Sequence, residues 1–175
     1  MTDKEKLLNN IRTHSNSSLE LEWGQLDGVN IRKCNLQNSN LRNSTIRNAN
    51  FENSLLMNVN FENVDLSDSL LSGVELSFSN LKRINATKAN ATNSVIRKSD
   101  LTYANLVSIN LMNSDLRESN FKNAILKDSN LKNANLTNSI LENSDLTNAD
   151  LSFSKLIKAN IKDVVLDNTN FSSSD

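Results

Sequence analysis

The chain has 175 residues, 37% of them apolar, with 19 Lys+Arg against 20 Asp+Glu and a formal net charge of −1. That length suits one domain or two small ones, and the near balance of charge excludes the basic footprint of a general nucleic-acid or anionic-membrane binder and gives no support to wholesale acidic mimicry of DNA. One Cys and one His exclude a disulfide framework or a Cys/His metal cage within one chain, and 50 Leu, Ile, Val and Phe exclude a disordered tail despite 32 Asn and 24 Ser.

At the N-terminus, Thr2-Asp3-Lys4-Glu5 is a capping-box pattern, followed at helical spacing by Leu7, Leu8 and Ile11. Residues 2–13 are therefore expected to form a short amphipathic α-helix lying over whatever follows, with Trp23 as its packing partner. His14 and the serine-rich stretch to Ser18 read as a solvated linker, so residues 1–18 form a capping unit and residues 19–175 a separate body. These first residues lack the continuous apolar run of a signal peptide, and no apolar run reaches the length of a membrane span; a cytoplasmic protein without membrane contact is expected.

From Leu21 every fifth residue is apolar, through Ile31, Phe51, Leu76 and Ile96 to Phe171, and all 31 positions obey. Two residues earlier runs a second column of small residues, such as Gly24, Ser39, Ala49, Ser69 and Ala134, with Val59, Val64, Val74, Ile84 and Ile109 among the bulkier exceptions. In an α-helix a step of five turns the side chain by about 140°, so the large column would spiral around the axis. In one long strand it would alternate faces, because five is odd. The pattern fits a short extended segment in which the small residue and the large one share a face, followed by a corner, so the chain coils.

Corner chemistry agrees. The second residue after each large one is Asn, Asp or Gly at 19 of 31 corners, and these are the types that tolerate positive φ. The residue just before the large one is usually Asn or Asp, as at Asn35, Asn60, Asp65 and Asp100, placed to bond corner amides. Pro is absent, as expected of coils whose amides pair with their neighbours.

With its repeating small residue, Asn/Asp, then Leu or Phe, as in Ala-Asn-Leu-Thr-Asn at 134–138 and Ala-Asp-Leu-Ser-Phe at 149–153, the chain over residues 19–175 resembles the pentapeptide-repeat family. The resemblance implies an all-β solenoid, a right-handed quadrilateral β-helix with four pentapeptides per coil. Here that means about eight coils and a rod roughly 37 Å long, capped by the N-terminal α-helix. Each inward Leu contributes about 1.5–3 kcal/mol of burial before chain entropy is subtracted. Ala86 and Ala91, two small residues in the large column, predict a narrowed or bent coil near residues 81–100, partly refilled by Ile84 and Ile109.

A bore filled by Leu, Ile, Phe, Ala, Ser and Val leaves no concave site, and no catalytic triad, phosphate loop or calcium loop occurs, so neither catalysis nor a cofactor or metal is expected. Cys34 falls in the small column and reads as a buried filler, as do the inward serines. Function then belongs to the outer faces and an unidentified protein partner. One side places Leu55, Met57, Phe78 and Val95 outside on three adjacent coils as a candidate contact patch. Another side is mildly acidic, through Asp27, Asp65, Asp68, Asp128, Asp145 and Asp167. Arg83 and Tyr103 are placed to form a cation–π pair. The last coil exposes Leu156, Ile161, Leu166 and Phe171, an end suited to a tail-to-tail homodimer. Some family members resemble duplex DNA and bind DNA gyrase; a regulator of gyrase or another type II topoisomerase is the alternative to a protein-binding scaffold, although this chain lacks their acidity and their C-terminal helical extension.

Overall fold

The capping box closes as its residues dictate: in the computed structural model, which describes residues 1–12 and 18–175, the Thr2 amide donates to Glu5 Oε2 at 2.7 Å and the Glu5 amide to Thr2 Oγ1 at 3.2 Å. The helix they start, α1, runs Asp3–Arg12 and is the only helix among the described residues. Leu7 is fully buried, Leu8 and Ile11 pack against the core, and Asp3 Oδ2 accepts the Gln25 amide at 3.2 Å, tying α1 to the first coil. Trp23 is not the partner expected: it is 69% exposed, because it occupies a corner at φ 61°, where the side chain points away from the stack. His14 and most of the linker lie outside the described residues.

From Glu20↔Asn40 to Asp150↔Asn170, parallel bridges join every fifth residue to the one twenty positions on. The chain is a β-helix solenoid advancing four pentapeptides per bridge step. Extended contact is limited to one bridged residue per side, so continuous strands do not form among the described residues. The large column points inward, and from Leu21 to Leu151 none of its members is more than 5% exposed.

Backbone accounting explains the period. In Val64–Asp68, Leu66 and Asp68 donate to the next coil (Asn85 and Thr87 carbonyls, 2.7 and 2.9 Å), while Asp65 donates to Ser44 in the previous one (3.1 Å). The Val64 amide closes the preceding corner onto Phe61 O at 3.1 Å, and the Ser67 amide donates to Asp65 Oδ1 at 3.0 Å. All five amides are used, so Pro, which has none, fits nowhere in such a repeat. Where the column holds Asn or Asp, its side chain commonly serves the fifth amide, for example Asn35 for Gln37, Asp100 for Thr102 and Asn130 for Lys132.

At many corners an inward serine of the next coil replaces or shares the backbone bond that closes the corner. Ser69 Oγ accepts the Ala49 amide and donates to Ile46 O, both at 3.0 Å, one coil earlier. Ser44, Ser54, Ser79, Ser99 and Ser119 make the same two-sided contact. These serines are stitches between coils as well as fillers. Ser129, Ser139, Ser144 and Ser154 are buried without a partner among the described residues.

Every second corner position from Trp23 to Ser173 has positive φ, including Lys33, Phe78, Arg83, Lys88, Lys98 and Tyr103 at 53–62°. Asn relieves this geometry and stacks into side-chain ladders, such as Asn133 onto Asn113 and Asn113 onto Asn93, each at 3.2 Å. Across residues 81–100 the ladder keeps its register and its spacing, for instance Ala86 N to Asn105 O at 2.9 Å, so the narrowed or bent coil expected there does not break the stack. Ile84 and Ile109, in the small column, are both 4% exposed and add volume to the interior.

Ser69→Ala, which orphans an amide and a carbonyl, should cost about 1–3 kcal/mol in urea unfolding, whereas Ser144→Ala should be neutral or mildly stabilising. Equal effects would show that the serine stitch contributes nothing. Lys33→Asn should raise stability by about 1 kcal/mol by relieving a left-handed corner; a lowered melting temperature would contradict the assigned strain.

Candidate contact surfaces

Because the large and small columns both face inward, three positions per pentapeptide remain for the outside: the bridged residue and the two corner residues. Cys34, in the small column, is 4% exposed; burial pushes its thiol pKa up, which suits an inert filler. No group of three or more His, Cys, Asp or Glu suited to a metal occurs among the described residues. Nor is any described helix long and apolar enough to cross a membrane. An open hollow of about 350 Å³ beside α1 is lined by Met1, Glu5, Leu8 and Asn9, without converging polar groups from the repeats.

The register of twenty brings the candidate patch to one side. Leu55 and Phe78 are 45% and 53% exposed, and Met57 and Val95 are half-buried. They do not fuse into one apolar area, since Glu75 is bridged to Leu55 below and Val95 above and stands between them. Lys98 Nζ lies 5.8 Å from the Phe78 ring centroid, and the expected Arg83 and Tyr103 pair forms at 5.5 Å. A third such pair joins Lys132 to Phe153 at 5.5 Å.

The acidic side is compensated at two of its six carboxylates. Asp27 accepts the Arg47 guanidinium at 2.6 Å and the Arg47 amide at 2.9 Å. Partial burial pushes the Asp27 carboxyl up, but these bonds outweigh it and hold its pKa below the usual carboxylate range. Asp145 is treated alike: burial is outweighed by bonds from Thr147 and by Lys127, whose ammonium is 3.1 Å away. Asp65 accepts the Ser67 amide and Asn85 Nδ2, and Asp128 accepts Asn148 Nδ2, whereas Asp68 and Asp167 are exposed. Two of the six carboxylates are thus paired with cations, Asp65 and Asp128 are held by neutral amides, and Asp68 and Asp167 stay open to solvent.

The last coil exposes several apolar side chains. Ile161 and Leu166 of the large column are 49% and 39% exposed, and Leu156 and Phe171 are half-buried. The amides of Ile161, Asp163, Leu166, Asn168 and Phe171 meet no backbone carbonyl among the described residues. Outward Phe153, Ile157 and Val165, 43–53% exposed, extend this surface. They were not singled out from sequence, where the signal was an apolar residue at an outward position normally held by Asn or a charge.

Among solved structures the chain is similar to a trypsin-treated variant of QnrB1, described as a plasmid-mediated fluoroquinolone resistance protein (17% identity, 90% of this chain and 84% of that one, TM-score 0.39). It is also similar to Rfr23 from the cyanobacterium Cyanothece 51142 (21% identity, 94% and 96%, TM-score 0.40). A third is HetL of the cyanobacterium Nostoc sp. strain PCC 7120, a pentapeptide repeat protein involved in heterocyst differentiation regulation (18% identity, 98% and 93%, TM-score 0.31). No curated protein matches. The family model for pentapeptide repeats matches in 8 copies, over residues 25–63, 34–73, 69–113, 104–143, 114–152 and 144–175. With both inward columns, the corner geometry and the family model in agreement over most of its length, the chain belongs to the pentapeptide-repeat family.

Proposed function

We propose that this pentapeptide-repeat protein is a non-enzymatic scaffold that binds other proteins through its outer faces, using no cofactor. Its coils form the right-handed quadrilateral stack of about eight turns that the family implies, with residues 1–18 as cap and 19–175 as rod. The observation that carries this reading is the occupied bore: large-column side chains from Leu21 to Leu151 are at most 5% exposed, so recognition falls to outward groups. On those faces, Leu55 and Phe78 offer the apolar contact of a protein interface, with Met57 and Val95 beside them. The duplex-mimic reading, with a type II topoisomerase as partner, has less support, because Arg47 and Lys127 cancel the charge of Asp27 and Asp145.

The last coil belongs to the same proposal. A second copy meeting Leu156, Ile161, Leu166 and Phe171 about a two-fold axis would cover apolar side chains and offer partners to unpaired amides. Light scattering across a dilution series should then give a dimer that Ile161→Glu with Leu166→Glu converts to monomer; a monomer mass at all concentrations rejects this arrangement.

For the lateral patch, Leu55→Asp with Phe78→Ser should abolish recovery of the native complex from the source cells while leaving the unfolding free energy within about 1 kcal/mol of wild type. Undiminished recovery would remove the patch from the interface.

A further inference from the structure

Charge in this chain is segregated along the stack. Between Glu75 and Asp100 lie Lys82, Arg83, Lys88, Arg97 and Lys98 and no acidic residue. On either side, residues 1–75 and residues 100–175 each carry seven Lys+Arg against ten Asp+Glu. A protein of net charge −1 therefore holds a segment of +5 between two segments of −3. Since bridged residues are twenty apart, that segment is little more than one coil, and its cations form a collar.

Three features of the collar point to a ligand. Lys82, Arg97 and Lys98 pair with Asp100, Asp115 and Glu118, all from the following coil, while no ion pair among the described residues engages Arg83 or Lys88. Arg83, Lys88 and Lys98 sit on left-handed corners at φ 53°, 58° and 55°, where Asn or Gly is conformationally easier. Two exposed rings accompany them: Phe78, 53% exposed under Lys98, and Tyr103, 58% exposed beside Arg83, themselves on corners at φ 62° and 60°. Neighbouring coils show that the fold is satisfied by Asn at such sites, as at Asn58, Asn63, Asn113 and Asn123. Strained corners concentrated with one charge sign and exposed rings suit a binding function.

We infer that residues 78–103 form a docking collar for a short acidic segment of a partner protein carrying aromatic or large apolar residues. This inference rests on the protein-binding reading and names the partner's chemistry. Acidic side chains would meet Arg83, Lys88 and Lys98, and apolar ones would lie on Phe78 and Tyr103, with Leu55 on the coil beyond Glu75. A peptide running around the coil covers one side with about three extended residues, or roughly 10 Å, and stays over the collar. Duplex nucleic acid fits poorly: laid along the stack, it leaves the collar after about 5 Å and runs over coils of net negative charge.

Fluorescence anisotropy tests the collar with a labelled peptide of about twelve residues built from Glu-Glu-Phe units, against a Lys-Lys-Phe peptide and a short DNA duplex. Saturable, salt-weakened binding of the acidic peptide alone is expected. Arg83→Glu with Lys98→Glu should weaken it about tenfold or more, and Arg83→Asn with Lys98→Asn, which suits the corners and preserves the fold, should weaken it in the same direction. Lys155→Glu with Lys158→Glu, a charge reversal away from the collar, should leave it unchanged. Absence of binding, equal weakening by the distant reversal, or duplex DNA bound as tightly as the peptide overturns the inference. Should the collar fail while Leu55→Asp with Phe78→Ser still abolishes the native complex, the protein-binding reading survives alone; should neither affect the complex, both fall.

Discussion

The structure depends on one constraint: in a complete repeat such as Val64–Asp68 every backbone amide has an assigned acceptor. Three amides connect to neighbouring coils, one closes a corner or meets a serine from the next coil, and one is held by the side chain before the large residue, as Val64–Asp68 shows in full. A residue inserted or deleted anywhere would put the large column outside and break bonds to two coils at once. This explains why the period persists for 31 repeats without interruption and why Pro is absent.

That constraint divides the side chains by task. Two positions in five are consumed by the interior, and the bridged position is largely committed to holding a corner amide. Variation is least restricted at the two corner residues, which project outward. The second of them must accept a left-handed backbone, so a Phe, Tyr, Lys or Arg there is a departure from what the fold prefers. Such departures are not spread evenly. Phe78, Arg83, Lys88, Lys98 and Tyr103 occupy almost consecutive corners, while other stretches use Asn repeatedly. The same stacking that builds the rod also cancels charge along it, since residues twenty apart are neighbours: Arg47 lies on Asp27, Arg32 on Glu52 and Lys122 on Glu142. Where no opposite charge occurs one coil away, as at Arg83, the cation rests on a ring.

Departures from expectation have local causes. Trp23 suggested a partner for α1 because it is large and near the N-terminus in sequence, but corner geometry turns it to solvent and Leu7 takes the buried place. The serines looked like volume fillers because their column also accepts Ala and Val; that Ser69 bonds both sides of the turn at residues 46–49 depends on how closely successive coils approach. Ala86 and Ala91 suggested a constriction, and the ladder between coils keeps its register across them because it is made by backbone groups.

Much was legible from residue order alone. Period five excluded helix and long strand, separated inward from outward positions, and placed left-handed corners, because each follows from how few residues separate one turn from the next. The outward positions of Leu55 and Phe78 and the apolar last coil followed from the same phase. Adjacency between coils was decided only by the tertiary structure. That Glu75 splits the apolar patch, that Arg47 neutralises Asp27 and that Lys98 covers Phe78 all require knowing which residues stack, and a five-residue period is compatible with polygons of different numbers of sides. The physical reason is range: a corner is governed by contacts within a few residues, whereas a surface is made of side chains twenty residues apart in the chain and one coil apart in space.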